Sequence, residues 1–380
     1  MRALVFGGGL SGRAAAALLS HAGAEVTLLD GAADFPAGDF SLAVVSPGIA
    51  LDHPWIAAAR ARGIPLKSEL QLGCEALKAA GVKLLAVTGS KGKSSVVKLV
   101  AEALSLAGFR AAAGGNYGVA VSRLALEREC DWVVVEVSSF MLETTELAAD
   151  TFEAAAILNL QADHLDRHGS LAAYHALKRR LLTMTKRPLT APAEADGLWR
   201  GSYFDNEILR VSGGYAVALL RAAGVGDAVI RRAFAGFRPL PHRLCRVAEI
   251  GGVAYFDDSK ATSLAALAAG VVMCPGAGKV RLIAGGLPKG DDPESVRPIL
   301  TKRVKKVYLI GQSAAAWASA FRGAADLEIC GTMERAVAAV KREAVKGEAV
   351  LLAPGAASFD QFENFERRGE VFTQLVNKEG

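Results

Sequence analysis

The residues best equipped for chemistry are Gly89, Ser90, Lys91, Gly92, Lys93, Ser94 and Ser95, which read G-x-x-G-K-S-S. Two glycines let a loop turn its backbone N–H groups inward. A lysine at this place reaches the β- and γ-phosphates of a nucleotide, and the next hydroxyl can ligate Mg²⁺. Lys93 and Ser94 hold those two positions. The spacing is shorter than the standard G-x-x-x-x-G-K-[ST], whose first glycine would fall at Val87. A surface turn with two lysines is the plain alternative. The flanks argue against it. Leu84-Leu85-Ala86-Val87 suits a buried strand, and Val96, Val97, Leu99, Val100 and Leu104 recur with helical spacing. Strand, glycine loop and helix form the context that a phosphate site requires.

Other polar residues fall at strand ends. Trp132 to Val135 is apolar and closes on Glu136, where a Mg²⁺-holding carboxylate belongs in such a domain. Gly114-Gly115-Asn116-Tyr117-Gly118 is a glycine turn carrying one amide. A further strand, Ala154–Leu160, leads to Asp163, His164, Asp166 and His168. One histidine alone is more often structural; two histidines with two aspartates at a strand end favour a functional site. A helix over 171–182 follows, with Tyr174 and Lys178. By charge alone Lys178 is a solvated helix lysine. The stretch 186–200 reads as irregular.

These residues need a scaffold, and the pattern supplies an α/β one. Ala3–Phe6 reads as a strand, Gly7-Gly8-Gly9-Leu10-Ser11-Gly12 as G-x-G-x-x-G opening an alanine-rich helix, and Glu25–Asp30 as a strand ending in an acid. That is the Rossmann fingerprint in its proper context, and it suggests a bound nucleotide or its diphosphate; a purely structural turn is the alternative. Leu42–Val45 with Ser46-Pro47-Gly48 adds a strand and turn at the same edge, and helices are expected over 56–62 and 68–80. Pro239-Leu240-Pro241 looks like a linker. Beyond it, strands at 253–256, 280–284, 306–310 and 349–352 each end in small or polar residues, which makes a ligand-binding edge. The expected domains are 1–82, 83–239 and 240–380. At 380 residues and 51% apolar content the chain can bury several cores. The net charge of +5 is mild and without basic runs, so nucleic acid is not implied. Five scattered cysteines without a C-x-x-C pair read as reduced thiols in a cytoplasmic protein. No stretch suits a transmembrane helix, and MRALVFGGG runs straight into a strand rather than reading as a signal peptide.

The chain resembles the Mur ligases over nearly its whole length. The segments that carry the likeness are SPGIALDHP at 46–54, VTGSKGKSS at 87–95, GGNYG at 114–118, EVSSFMLE at 136–143, NLQADHLDRHGS at 159–170, YHALKRR at 174–180, LPHR at 240–243, DDSKAT at 257–262 and ASFDQFENFERRG at 357–369. SSFMLE and the last two favour the members that add D-glutamate. The resemblance implies an N-terminal Rossmann-like domain for a UDP-sugar, a central P-loop ATPase-like α/β domain for ATP, and a mobile C-terminal Rossmann-like α/β domain for the amino acid. It implies ATP and two Mg²⁺ sites, the substrates UDP-N-acetylmuramoyl-L-alanine and D-glutamate, a monomer, a cytoplasmic location and no membrane insertion. By resemblance, Gly89 to Ser95 with Arg243, Asp258 and Lys260 hold ATP. Lys93, Glu136, His164 and Lys178 are catalytic; Ser94 and Glu136 hold one Mg²⁺, and His164 and a carbamylated Lys178 a second. Leu10, Ser11, Asp30, Ser46, Gly48, Asn116 and Ser138 serve the UDP-substrate. Thr262, Lys289, Ser358 and Phe365 serve D-glutamate.

Some positions depart from the family pattern. The segment after Asp30, GAADFPAGDF, is short and lacks the Thr-Arg pair that often packs on uracil. Lys91 stands where Asn is usual, Met141 where Gln is usual, and Gly213-Gly214-Tyr215 where a His-Asn pair usually sits near adenine. The region 186–210 is shortened. Two other readings stay open: an amide ligase of the same family that adds another amino acid or acts on a folate, and an inactive nucleotide-binding scaffold.

Overall fold

The computed structural model describes residues 1–161, 164–275 and 279–378. β1 (Arg2–Phe6) lies between β2 (Glu25–Leu29) and β3 (Leu42–Val45), and β4 (Leu66–Ser68) continues the sheet beyond β3; all pairs are parallel. A strand with neighbours on both sides and cover on both faces has no polar face to offer. Ala3, Leu4, Val5 and Phe6 accordingly have no exposed surface. Leu4 and Phe6 feed one core with Trp55 and Ile56, and Ala3 and Val5 feed the other with Ala15 and Leu19. The helix Leu10–His21 starts directly behind β1. It can do so because position 12 is glycine: a Cβ there would stand 1.8 Å from the Gly7 carbonyl oxygen.

β5 (Lys83–Thr88), β6 (Ala111–Gly115), β7 (Trp132–Glu136), β8 (Ala154–Ile157) and β9 (Pro188–Leu189) form a second parallel sheet in the order β6-β7-β5-β8-β9. These two sheets share one compact unit, Met1–Phe237. The helix Glu69–Ala79 packs on the helix Val121–Glu127, and Leu70, Cys74 and Leu77 join Leu84 and Val133 in one core. Glu69 Oε1 accepts from the Ser122 amide at 2.6 Å across this joint.

The second unit, Arg238–Gly380, holds β10 (Cys245–Ile250), β11 (Val253–Asp257), β12 (Val280–Gly285), β13 (Val304–Ile310), β14 (Asp326–Gly331) and β15 (Ala349–Leu352). Their order is β10-β11-β15-β12-β13-β14; β10 is antiparallel to β11 and the other pairs are parallel. The four strands expected from sequence are present, and two more join them. β10 and β14 are edge strands with only partial burial, so neither carries the continuous apolar run that marks the inner ones. The stretch expected to be irregular, 186–200, contains β9 and a short helix, Asp196–Trp199. Among the described residues, no helix is long and apolar enough to cross a membrane.

Candidate active site

The phosphate loop leaves β5 and enters the helix Lys93–Leu106, whose buried face includes Val96, Val97, Leu99, Val100 and Leu104. Gly92 caps that helix at φ +84°, where any other residue would be strained; a Cβ there would also lie 2.9 Å from Ser212 Oγ. Lys93 Nζ curls back to donate to the carbonyls of Gly89 at 2.9 Å and Ser90 at 3.2 Å. Ser94 is half-buried and Ser95 buried. Asn159, just past β8, templates the loop. Its Oδ1 accepts from the Lys91 amide and its Nδ2 donates to the Lys91 carbonyl, both at 2.9 Å, while the Ser90 amide donates to the Asn159 carbonyl at 3.1 Å. A side-chain amide here does the work of a neighbouring strand. Ser90 Oγ also lies 3.1 Å from the Tyr174 hydroxyl. Sequence reasoning assigned no role to Asn159 or Tyr174, although both lie in the motifs that carry the family likeness.

Glu136 ends β7 beside this loop with 1% of its surface exposed. Its Oε1 accepts from Asn116 Nδ2 at 2.8 Å, and its Oε2 is buried with no hydrogen-bond partner. A buried carboxylate oxygen left without a donor is costly. A divalent cation next to a phosphate loop would satisfy it, and the oxygen-donor chemistry of Glu136 with Ser94 fits Mg²⁺. Lys178 is not the solvated lysine that its charge suggests. It is 1% exposed, with Nζ donating to the Gly89 carbonyl at 3.0 Å and Thr88 Oγ1 at 3.3 Å, and it stands 4.8 Å from the Tyr174 ring centroid. As an ammonium it donates to a carbonyl and a hydroxyl and cannot ligate a cation; only a change in its chemistry would make it a ligand. His164 is exposed, with φ +51° and its ring 4.8 Å from that of Phe140. His168 Nε2 lies 3.0 Å from Ser139 Oγ. Burial lowers the His168 pKa; the Glu143 charge opposes this, and the charges of His164, Arg167 and Lys178 reinforce it. His164 and Lys178 are therefore both within electrostatic reach of His168. Asp163 lies outside the described residues. Among those described, no three His, Cys, Asp or Glu side chains converge on one metal position.

Leu10, Ser11, Asp30, Ser46 and Gly48 all lie just beyond the carboxyl ends of β1, β2 and β3. Leu10 is 83% exposed, and Asp30 and Gly48 are exposed too. Ser46 is buried, and its hydroxyl donates to the Gly7 carbonyl at 3.3 Å. Asp30 hangs over Gly8, where a Cβ would stand 2.4 Å from its Oδ2. Two residues expected to meet substrate also have structural tasks. Asn116 holds Glu136, and Ser138 Oγ caps the short helix Ser139–Leu142 by accepting from the Met141 amide at 3.2 Å.

In the second unit Asp258, Lys260, Thr262, Lys289 and Ser358 follow strand ends, whereas Arg243 precedes β10 and Phe365 opens a helix. Lys289 Nζ lies 3.3 Å from Thr262 Oγ1. Leu287 pairs with Ala357, which brings the buried Ser358 beside the extension of β12. Lys260 Nζ sits 3.6 Å over the Phe365 ring centroid. Burial lowers the Lys260 pKa, and the charges of Arg243 and Lys289 lower it further. Asp258 Oδ1 accepts from the Leu244 amide at 3.1 Å, while desolvation pushes its carboxyl up to about 8. Asp257 is held by His242 at 2.6 Å and by the Ser259 amide at 2.8 Å. Sequence reasoning missed Arg368, which is 1% exposed and donates to the Ser259 hydroxyl, the Ser259 carbonyl and the Ala356 carbonyl. The arginine pair in ERRG is its only trace in the sequence. A helix over 359–368 capped by Ser358 is the alternative structural explanation of that serine. The helix is instead Phe365–Asn377, capped by Asn364, whose Oδ1 accepts from the Arg367 amide at 2.7 Å.

Three family models match parts of the chain. Family models match for the Mur ligase middle domain at residues 87–206 and the Mur ligase glutamate ligase domain at 242–356. A NAD(P)-binding Rossmann-like domain matches at 5–62. The UDP-N-acetylmuramoylalanine–D-glutamate ligase of Acidobacterium capsulatum is 36% identical over 99% of this chain and 96% of its own length. That of Koribacter versatilis is 34% identical over 99% and 97%. Among solved structures, the UDP-N-acetylmuramate–alanine ligase of Thermotoga maritima superposes with a TM-score of 0.61 at 13% identity, covering 98% of both chains. The MurF ligase of the same organism, in complex with ADP, gives 0.60 at 15% identity over 90% of both. At such identities these two likenesses concern the fold.

Proposed function

The chain belongs to the Mur ligase family, and on that premise we propose that it joins D-glutamate to UDP-N-acetylmuramoyl-L-alanine at the expense of ATP, in the cytoplasm, as a monomer. The observation that carries this reading is the unpartnered, buried Oε2 of Glu136 beside the phosphate loop, in a chain 36% identical end to end to a ligase of that name.

The chemistry is amide formation through an acyl phosphate. The substrate carboxylate takes the γ-phosphoryl group of ATP and ADP leaves; the amine of D-glutamate then attacks the acyl carbon, loses a proton and displaces phosphate. Two anions must meet, so the protein's task is positioning and charge neutralisation. Mg²⁺, when bound, would supply positive charge to neutralise the phosphates and the carboxylate. Ser94 and Glu136 would hold one ion; His164 and Lys178 would hold a second, the lysine after carbamylation has turned it into an anion. Lys93, released from the Gly89 and Ser90 carbonyls, would bind the phosphates, and the backbone N–H groups from Gly89 to Ser95 would line them. Arg243, Asp258 and Lys260 would also serve ATP. Thr262, Lys289, Ser358 and Phe365 would take D-glutamate, whose two carboxylates suit the positive cluster around Lys289. Leu10, Ser11, Asp30, Ser46, Gly48, Asn116 and Ser138 would meet the UDP-substrate.

Phosphate release tests the reading. ATP with Mg²⁺, UDP-N-acetylmuramoyl-L-alanine and D-glutamate together should release phosphate, and omission of any one should stop it. A screen of L-amino acids, other D-amino acids and a folate acceptor covers the other ligase activities. Turnover with one of those in place of D-glutamate, or none with any, overturns the proposal.

A further inference from the structure

One polar chain in the first unit is used by none of these roles. Arg167, three residues after His164, makes a fork on Glu143: Nε to Oε1 at 3.0 Å and Nη2 to Oε2 at 2.6 Å. The same Nη2 donates to the Ile49 carbonyl at 2.9 Å, in the turn that follows Ser46 and Gly48. The Glu143 side chain is 7% exposed. His168 stands on its other side, with Nδ1 3.5 Å from Glu143 Oε1 and Nε2 3.0 Å from Ser139 Oγ. Ser139 is three residues past Glu136. The segment on either side of Glu143 is fixed from elsewhere: Arg180 donates to the Leu142 and Thr145 carbonyls, and Ser68 Oγ meets Thr145 Oγ1 at 2.6 Å. Charged, forked hydrogen bonds to a carboxylate only 7% exposed are stiff and directional. This one set therefore joins the turn at Ser46–Ile49, the turn at His164 and the end of β7.

We propose that Glu143 and Arg167 are positioning residues that couple the UDP-substrate turn to the end of β7, so that UDP-substrate and Mg²⁺–ATP tighten each other's binding. The inference rests on the ligase reading. Contact alone does not establish coupling; a difference in binding free energy does.

The test is calorimetry with Mg²⁺ and a non-hydrolysable ATP analogue, with and without saturating UDP-N-acetylmuramoyl-L-alanine. In the wild type the UDP-substrate should tighten analogue binding at least about 5-fold. Glu143→Gln keeps the shape of the side chain, whereas Arg167→Ala leaves a buried carboxylate unpaired and needs a melting check. Both should reduce the tightening to under about 2-fold while the analogue binds alone as in the wild type. The double variant should lose nothing more, and Arg167→Lys, able to keep one contact, should fall between. Retained tightening in both single variants overturns the inference, and so does an equal loss of affinity with and without the UDP-substrate. A wild type that binds both ligands without mutual effect sinks the inference alone. A wild type that does not bind the UDP-substrate sinks the ligase reading and the inference with it.

Discussion

Both units end their parallel strands in polar residues, but with opposite electrostatics. In Met1–Phe237 the end of β7 exhibits a buried carboxylate with a spare oxygen, and the lysines beside it, Lys93 and Lys178, already hydrogen-bond to carbonyls of the glycine loop. In Arg238–Gly380 the carboxylates are the committed groups: Asp257 is bound by His242 and the Ser259 amide, and Asp258 accepts from the Leu244 amide. There burial lowers the Lys260 pKa, and the charges of Arg243 and Lys289 lie close enough to lower it further. On the proposed function, the first arrangement would suit a cation and the second anions. The carboxyl edges of the parallel strands in the two sheets thus differ in the sign of the charge they gather.

The largest effect expected of any substitution tests the first half of this contrast. Lys93→Ala should abolish turnover, because Lys91 is the only other lysine in the loop and its backbone is clamped by Asn159. More than about a tenth of the wild-type kcat, a barrier change under about 1.4 kcal/mol, would remove Lys93 from the phosphate site. Next comes Lys178. Lys178→Ala should be nearly inactive, and Lys178→Glu partly active, because a carboxylate supplies the anion that the carbamate would. Bicarbonate should help the wild type and neither variant. An unmodified mass for gently handled protein, together with full activity of Lys178→Ala, would leave Lys178 as a support for the Gly89 carbonyl and no more.

What the sequence disclosed follows from how local each signal is. The phosphate loop, the first Rossmann turn and the acid ending β7 are each encoded within a few consecutive residues, and the structure places them at strand ends. Lys178 illustrates the limit. Its burial depends on Thr88 and Gly89, about ninety residues away, so charge and helical position alone give the opposite environment. Asn159 and Arg368 act through backbone atoms of distant segments, which leave no pattern in side-chain spacing. β10 and β14 escaped notice because edge strands need no unbroken apolar run.

The second half of the contrast is tested at Ser358. It is 2% exposed and follows the residue that pairs with Leu287. If its hydroxyl binds a carboxylate of D-glutamate, losing it should cost roughly 1.5–3 kcal/mol. Ser358→Ala should therefore raise KM for D-glutamate about 10- to 100-fold and leave KM for ATP nearly unchanged. An unchanged D-glutamate KM would take Ser358 out of the site and weaken the case for an anion-binding second unit.

The smallest effect separates binding from folding in that same region. The cap of the helix Phe365–Asn377 is Asn364, and its Oδ1 accepts from the Arg367 amide at 2.7 Å. Replacing such a cap by alanine costs about 1 kcal/mol, a few degrees of melting temperature in a unit of this size. Phe365, the first residue of the helix, has other anchors: its carbonyl accepts from Ser259 Oγ at 2.8 Å, and Arg368 Nε holds that hydroxyl at 3.0 Å. Asn364→Ala should thus lower the melting temperature while the D-glutamate KM moves by less than about 2-fold. Ser358→Ala should do the reverse. If both variants raise KM together and melt early together, the Ser358 effect reports the stability of this segment rather than a carboxylate contact, and the anion site must be sought among Thr262, Lys289 and Lys260 alone.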